Sequence, residues 1–337
     1  MNLSTQFKSR RQILDFIMLF VVCVLLCGCR LKKQKVYRVG IISGLEVFST
    51  TTDGYIAGLT ELGYKEGENI VYDAHEVYTG EASIQKVLDK FVADKVDLIF
   101  TFPTEPAMLA KAVTRGTNIP VVFAMGTIEG NDLVESVRQP GGNITGIRYS
   151  GPDLFVKYLE FLLELSPNAK RVWLTYDPDY PAIPSTLGAL RPAASSVGVT
   201  LVELPVKSPA EIAADLKMRD QLSDVGIDGI LMVPGISHAP DSWAAISAFS
   251  AKHKLPIAGG LPIAVEKGET VFTYMPDNIE VGKLAATQTN KILKGTSAGT
   301  IPVVTPEPRL RLNYKLAQEL GLNISKGLLN RADEIIR

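Results

Sequence analysis

Asp97-Leu98-Ile99-Phe100, stopped three residues later by Pro103, returns as Asp228-Gly229-Ile230-Leu231, stopped by Pro234. The offset is 131 residues, and other segments repeat beside it. Val39-Gly40-Ile41 is answered by Val172-Trp173-Leu174 at 133, the helix-ending Gly63 by Gly198 at 135, and Ile119-Pro120-Val121 by Leu255-Pro256-Ile257 at 136. Four matches in one order at nearly constant offset describe a single topology used twice.

Short runs rich in β-branched residues alternate with stretches of helical period, which predicts βαβ units and parallel sheets. In the first copy the strands fall at Tyr37 to Ile42, Ile70 to Glu76, Asp97 to Phe102 and Pro120 to Ala124. Helices over Ile56 to Leu62, Ile84 to Ala93 and Pro106 to Thr114 separate them. The expected fold is α/β, with two doubly wound lobes, each an open parallel sheet flanked by helices. Three chain crossings should join them: near Gly146 to Pro152, at Met275-Pro276-Asp277 before a long helix over Asn278 to Leu293, and through Ser297 to Thr300 into Pro302-Val303-Val304. Residues 36–149 with 278–296 then form lobe 1, and 150–277 with 297–337 form lobe 2. Three crossings describe a hinge, and ligands of such sheets bind beyond the carboxyl ends of the strands, so both lobes face one cleft.

The three cysteines all precede the first strand: Cys23, Cys27 and Cys29. Leu26-Cys27-Gly28-Cys29 has the form of a bacterial lipoprotein cleavage box, behind a basic segment (Lys8, Arg10, Arg11) and an apolar core, Ile13 to Leu26, broken only by Asp15. A helix over that core is about 21 Å long, short of the ~30 Å hydrocarbon layer. The expectation is a signal peptide over 1–28, a mature chain beginning at a lipidated Cys29, and a tether over 29–35. An uncleaved anchor helix is the other reading of the same run. Acyl chains contribute about 0.8 kcal/mol of membrane affinity per buried methylene, so two or three of them hold a protein at a membrane.

Cleavage removes three cations and one acid, taking the net charge from -1 to -3. That charge supplies no basic face and excludes nucleic acid as a partner. With Cys29 the sole cysteine after cleavage, no internal disulfide forms, and stability rests on burial.

Two segments carry a family resemblance. Glu61-Leu62-Gly63-Tyr64-Lys65-Glu66-Gly67-Glu68-Asn69-Ile70 and Gln139-Pro140-Gly141-Gly142-Asn143-Ile144-Thr145-Gly146 resemble hallmark stretches of the ABC-transporter substrate-binding lipoproteins related to the tryptophan and tyrosine binders. Ile119-Pro120-Val121-Val122-Phe123-Ala124 and the late Leu316-Ala317-Gln318-Glu319-Leu320-Gly321-Leu322 fit as well. The resemblance runs from Val36 to about Ile324. It implies a type I periplasmic-binding-protein fold, a small solute such as an amino acid held between two lobes, and delivery to a permease with its ATPase. It also implies a place in the cell envelope, facing the periplasm or exterior. Relatives that bind aromatic amino acids carry His-Pro-Ala-Leu-Asp after the first strand, where this chain has Leu45-Glu46-Val47-Phe48-Ser49. They carry Thr-Asp where it has Gly235-Ile236-Ser237, and an acid after Gly259-Gly260, where it has Leu261-Pro262. Asp277 matches the aspartate ahead of the long helix.

The candidate ligand residues are those at strand ends: Phe48, Ser49, Thr104, Met125, Tyr180, Ser185, Thr186, Gly235, Ser237, Gly260 and Asp277. Thr104, Ser185 and Thr186 precede or open helices, where a hydroxyl and the amides beside it hold an anionic group or merely cap the helix. Glu105, next to Thr104, disfavours an anion there. Asp277 lies at a crossing and either pairs with a ligand ammonium or caps the long helix. Phe48 and Tyr180 in loops, and Trp243 on a helix, are the aromatic faces for stacking. His238 either accepts a hydrogen bond or is a solvated helix-start histidine.

Catalysis is not expected. The chain has no Gly-x-Ser-x-Gly, P-loop, Gly-x-Gly-x-x-Gly or His-Glu-x-x-His, and His75, His238 and His253 are scattered. No metal or cofactor is called for, and the protein is expected as a monomer. A ligand-sensing lipoprotein that reports to a sensor kinase or chemoreceptor is the alternative to transport. A repressor of the same fold would need an N-terminal helix-turn-helix where this chain has its secretion signal.

Overall fold

The computed structural model describes residues 35–44, 46–76 and 80–337. The expected signal peptide and Cys29 lie outside them.

The first lobe is built from β1 (Tyr37–Ser43), α1 (Thr50–Glu61), β2 (Ile70–Glu76), α2 (Glu81–Ala93), β3 (Leu98–Phe102), α3 (Thr104–Val113), β4 (Val121–Gly126) and β5 (Ile144–Arg148). Its sheet runs β2-β1-β3-β4-β5, all parallel. β3 and β4 are buried along their whole length, as strands covered by helices on both faces must be.

The second lobe begins with α4 (Asp153–Leu165), β6 (Arg171–Tyr176), α5 (Ile183–Ser196), β7 (Thr200–Pro205) and α6 (Pro209–Arg219). β8 (Gly229–Leu231), α7 (Pro240–His253), β9 (Ile257–Ala258), α8 (Pro262–Glu266) and β10 (Phe272–Met275) follow. Within its seven-stranded sheet, β7-β6-β8-β9-β10 repeats the first lobe's order and is likewise parallel. Beyond β10 the sheet is extended by β11 (Arg309–Asn313), antiparallel to β10, and β12 (Glu334–Ile336), parallel to β11. The short helices α10 (Tyr314–Glu319) and α11 (Lys326–Arg331) connect those two strands.

The quoted aspartates do the same work in each copy. Asp97 Oδ2 accepts the Arg38 amide at 2.8 Å, and Asp228 Oδ2 accepts the Arg171 amide at 2.8 Å. Each thereby ties the third strand of its sheet to the first. Arg38 and Arg171 close the motif on Asp94 and Asp224 respectively.

The lobes exchange helices. After β5 the chain crosses, and α4 buries Leu154, Phe155, Tyr158, Leu159, Phe161, Leu162 and Leu165 in the core it shares with the second sheet. After β10 it returns, and α9 (Asn278–Leu293) packs on α1. That contact is backbone to backbone. A Cβ on Gly282 would lie 2.3 Å from the Thr51 carbonyl oxygen, and one on Gly54 would lie 2.2 Å from that of Ile279. Tyr55 Oη and Thr289 Oγ1 share a buried hydrogen bond of 2.9 Å across the same seam.

The third crossing differs from expectation. Residues 297–304, expected with the second lobe, are bonded to the first. Thr145 Oγ1 donates to the Ile301 carbonyl at 2.7 Å, the Val303 amide donates to Val137 at 2.8 Å, and Val304 bridges to Ile147 beside β5. Ile301 and Val303 are apolar and bury there, so the chain leaves the first lobe only through Thr305-Pro306-Glu307-Pro308. Prolines suit an extended link that needs no amide donors.

Candidate functional site

In both sheets the parallel strands point their carboxyl ends toward the same gap, and there the lobes touch. Thr104 opens α3 and is buried; its Oγ1 accepts the Thr127 amide at 3.0 Å from the loop after β4. Tyr180, in the loop after β6 of the other lobe, reaches across toward the side chains of Thr104 and Glu105. Burial pushes the Tyr180 phenol far above its ordinary range, so it is neutral here. Burial also pushes the Glu105 carboxyl up, opposed by its own backbone amide and by Tyr180. Gly235 lies under the Tyr180 ring: a Cβ there would sit 3.1 Å from the ring, on a backbone with φ of 97°. One loop over, the Pro181 carbonyl lies 3.9 Å from the Cβ position of Gly130 in the first lobe.

Ser237 and His238 follow Gly235. Ser237 Oγ donates to the Val233 carbonyl at 2.6 Å and lies 3.1 Å from His238 Nδ1. The hydroxyl proton is spent on Val233, which assigns the proton of this pair to Nδ1 and leaves Nε2 an acceptor. Burial pushes the imidazole pKa down to about 4, so His238 is neutral and half-buried rather than a solvated helix-start cation.

Thr104, Tyr180 and Gly235 are therefore brought together across the gap. The other expected residues are placed differently. Phe48 is buried in the core instead of offering a loop face, and Ser49, half-buried ahead of α1, makes no side-chain cap. Ser185 and Thr186 turn their hydroxyls back to the Ala182 carbonyl at 3.1 and 2.8 Å, inside their own helix. Met125 is buried, with φ of 52°, at the irregular step between β4 and β5. Gly260 faces Trp243, whose Nε1 donates to Glu269 at 2.6 Å.

Asp277 meets its capping reading. Oδ1 accepts the Ile279 and Glu280 amides at 2.9 and 3.2 Å, and Oδ2 accepts Arg311 Nη2 at 2.9 Å. Against the pull of burial, those amides and Arg311 hold its carboxyl below the usual range. Both of its carboxylate oxygens are thus engaged within the protein.

Sequence reasoning missed Tyr149, Glu129 and Arg148. Tyr149 lies in the first crossing, stacked on Phe155 with ring centroids 6.4 Å apart, and burial pushes its phenol up. An aromatic residue directly after a strand at a crossing was the available signal. Arg148, the last residue of β5, is 2.6 Å from Glu129. No local pattern couples residues 19 positions apart, one in a loop and one at a strand end.

A separate cavity of about 700 Å³ lies at the opposite end of the first lobe, among Lys35, Tyr37, Asp97, Arg115, Asn143 and Ser297. Those residues lie where strands begin or just after α3 and α9 end, so it is not the gap between the lobes. Among the described residues no group of three His, Cys, Asp or Glu is placed to hold a metal ion, and no helix is long and apolar enough to cross a membrane.

Residues 39–336 match the family described as ABC transporter substrate binding protein. A tyrosine-binding protein of Clostridioides difficile (strain R20291) is 29% identical over 282 residues, 81% of this chain and 77% of that protein. The crystal structure of an ABC domain in complex with L-Trp from Streptococcus pneumoniae superposes with a TM-score of 0.79 at 23% identity, covering 90% of this chain and 100% of that one. A conserved domain protein from Vibrio cholerae superposes with a TM-score of 0.78 at 25% identity, covering 89% and 100%.

Proposed function

Since this chain belongs to the family of ABC transporter substrate binding proteins, we propose that it captures an amino acid, aromatic ones first among the candidates, by closing its two lobes. Members of the family bind small-molecule solutes outside the cytoplasm and work with an ABC transporter. The observation that carries the reading is the approach of the lobes where both sheets end, with the Pro181 carbonyl 3.9 Å from the Cβ position of Gly130 and Tyr180 reaching toward Thr104 and Glu105. A clamshell whose closed form is held by contacts across the gap shifts from open to closed when a ligand adds further contacts to both sides. The tyrosine-binding relative and the L-Trp complex support an amino acid as that ligand. Gly235 and His238 on one side, with Thr104 and Tyr149 on the other, are the walls assigned to it.

The lobes are residues 35–148 with 278–304, and 153–277 with 309–337. The anchor is lipid on Cys29, supported by Leu26-Cys27-Gly28-Cys29 behind its basic and apolar segments. Replacing Cys29 by Ala should abolish incorporation of labelled fatty acid, and persistent labelling contradicts the anchor.

The ligand is tested by thermal unfolding of residues 31–337 against amino acids, nucleosides, sugars and small carboxylates. A true ligand at about 100 times its dissociation constant stabilises the fold by roughly 2.7 kcal/mol. A shift with tyrosine or tryptophan supports the reading; a shift only with another solute class contradicts it.

A further inference from the structure

At the first crossing an ion pair holds polar atoms that nothing in the protein satisfies. Arg148 Nη1 donates to Glu129 Oε1 at 2.6 Å, and each side chain is 23% exposed. Arg148 Nε, Glu129 Oε2 and the neighbouring Ser150 Oγ are shielded from water and have no hydrogen-bond partner. Orphans of this kind are few in folded proteins, and one on a charged group is costly because lost hydration is not replaced. Two on one ion pair, with a third two residues along the chain, call for a missing partner.

Their position says when that partner arrives. Glu129 sits in the loop after β4, and Gly130 beside it faces the Pro181 carbonyl of the second lobe. The Arg148 amide donates to Val304 at 2.9 Å, ahead of the third crossing, and the Tyr149 amide donates to Gly126 at 2.9 Å. A Cβ on Gly151 would lie 3.1 Å from Glu129 Oε1 and 3.3 Å from Arg148 Nη2, so the link to the second lobe passes directly over the pair.

We infer that Glu129 and Arg148 clamp the zwitterionic head group of an α-amino acid, Glu129 Oε2 taking the ammonium and the Nε and Nη2 edge of Arg148 taking the α-carboxylate. That edge is the fork that fits a carboxylate. The inference rests on the amino acid reading above. It also explains why closure waits for ligand: shutting the lobes on an empty gap strips these atoms of water, whereas a zwitterion enclosed with them replaces it. Asp277 then keeps its cap on α9 and its pair with Arg311, and the ammonium is received by Glu129.

The test is calorimetric titration of residues 31–337, the part that carries every described element, with three probes. L-tyrosine has both head groups, tyramine lacks the carboxylate, and 3-(4-hydroxyphenyl)propanoate lacks the ammonium. Glu129→Gln should weaken L-tyrosine at least about 30-fold and leave the propanoate unchanged. Arg148→Lys should weaken L-tyrosine and leave tyramine unchanged. Equal weakening of all three probes, or a change in unliganded melting temperature alone, makes the pair a hinge brace and overturns the clamp. Should a variant fail to fold, the wild-type chain decides: both analogues must bind at least about 30-fold more weakly than L-tyrosine, and equal binding overturns the clamp. Tight L-tyrosine binding insensitive to both substitutions overturns the clamp alone. A wild-type chain that ignores amino acids and binds another solute overturns the amino acid reading, and the clamp with it.

Discussion

The two lobes share a strand order and differ in how the fifth strand is finished. In the first, β5 is backed by residues 297–304, bonded through Thr145 and Ile147, and α9 lies against α1. In the second, β10 is extended by β11 and β12, and the Asp277 to Arg311 pair pins the start of α9 to β11 at 2.9 Å. The repeated parts are scaffold: Asp97 and Asp228 hold equivalent strands by equivalent bonds. The unrepeated parts are the crossings and the loops at strand ends, and the residues that join the lobes lie there.

The exchanged helices give the largest expected effects. Leu162→Ala, in the fully buried face of α4, should cost about 2 to 5 kcal/mol. Gly282→Ala, which drives a methyl group into the Thr51 carbonyl across the α1 seam, should cost about 1 to 3 kcal/mol. Urea unfolding measures both. If the exchange couples the lobes, each variant shifts a single transition; two separate transitions would break the comparison by showing that each lobe stands alone.

The paired aspartates sharpen it. Asp228 accepts the Lys170 and Arg171 amides and Arg171's guanidinium, whereas Asp97 accepts one amide and pairs with Lys35. Asp228→Ala should therefore cost about 2 kcal/mol and Asp97→Ala about 1 kcal/mol by the same unfolding assay. Gly235→Ala should cost about 1 kcal/mol, since alanine is strained at its positive φ and its methyl group meets the Tyr180 ring. It should also weaken ligand binding by loosening the contact with Thr104.

Two acids near the interface should respond to pH in opposite directions. Glu105 is raised by burial, so its contribution is full below its ordinary value of 4.5 and is lost as pH rises through the raised value. Asp277 is lowered, so its contribution is present above its ordinary value of 3.8 and is lost as pH falls through the lowered one. In melting curves recorded across pH, Glu105→Gln should remove the loss on the alkaline side and Asp277→Asn the loss on the acid side. Matching profiles for both variants would contradict the assignment.

The fold was legible because its repeat leaves local marks: an acid before a strand, a proline after it, a glycine at a helix end. Ile301-Pro302-Val303-Val304 was misplaced because an apolar extended run looks the same whichever sheet receives it. Thr104, Tyr180 and Gly235 could be found by position after a strand. Ser185 and Thr186 could not be excluded, because a hydroxyl in a first helical turn shows nothing of whether it points outward or back to its own backbone. Glu105 counts against an anionic ligand in the sequence, and the fold brings a phenol from the other lobe toward it. Glu129 and Arg148 left no trace, since their pairing exists only once β4 and β5 lie side by side.

Closure on a solute is the central claim, and the chain offers a clean way to measure it. Residues 31–337 contain no cysteine, so Glu46→Cys after β1 and Ile263→Cys on α8 can carry the only spin labels, both at exposed sites near strand ends in opposite lobes. Pulsed electron resonance should find a broad or long distance without ligand and a single shorter one with saturating L-tyrosine, or with whichever solute the thermal screen identifies. An unchanged distance distribution at saturation would contradict the account.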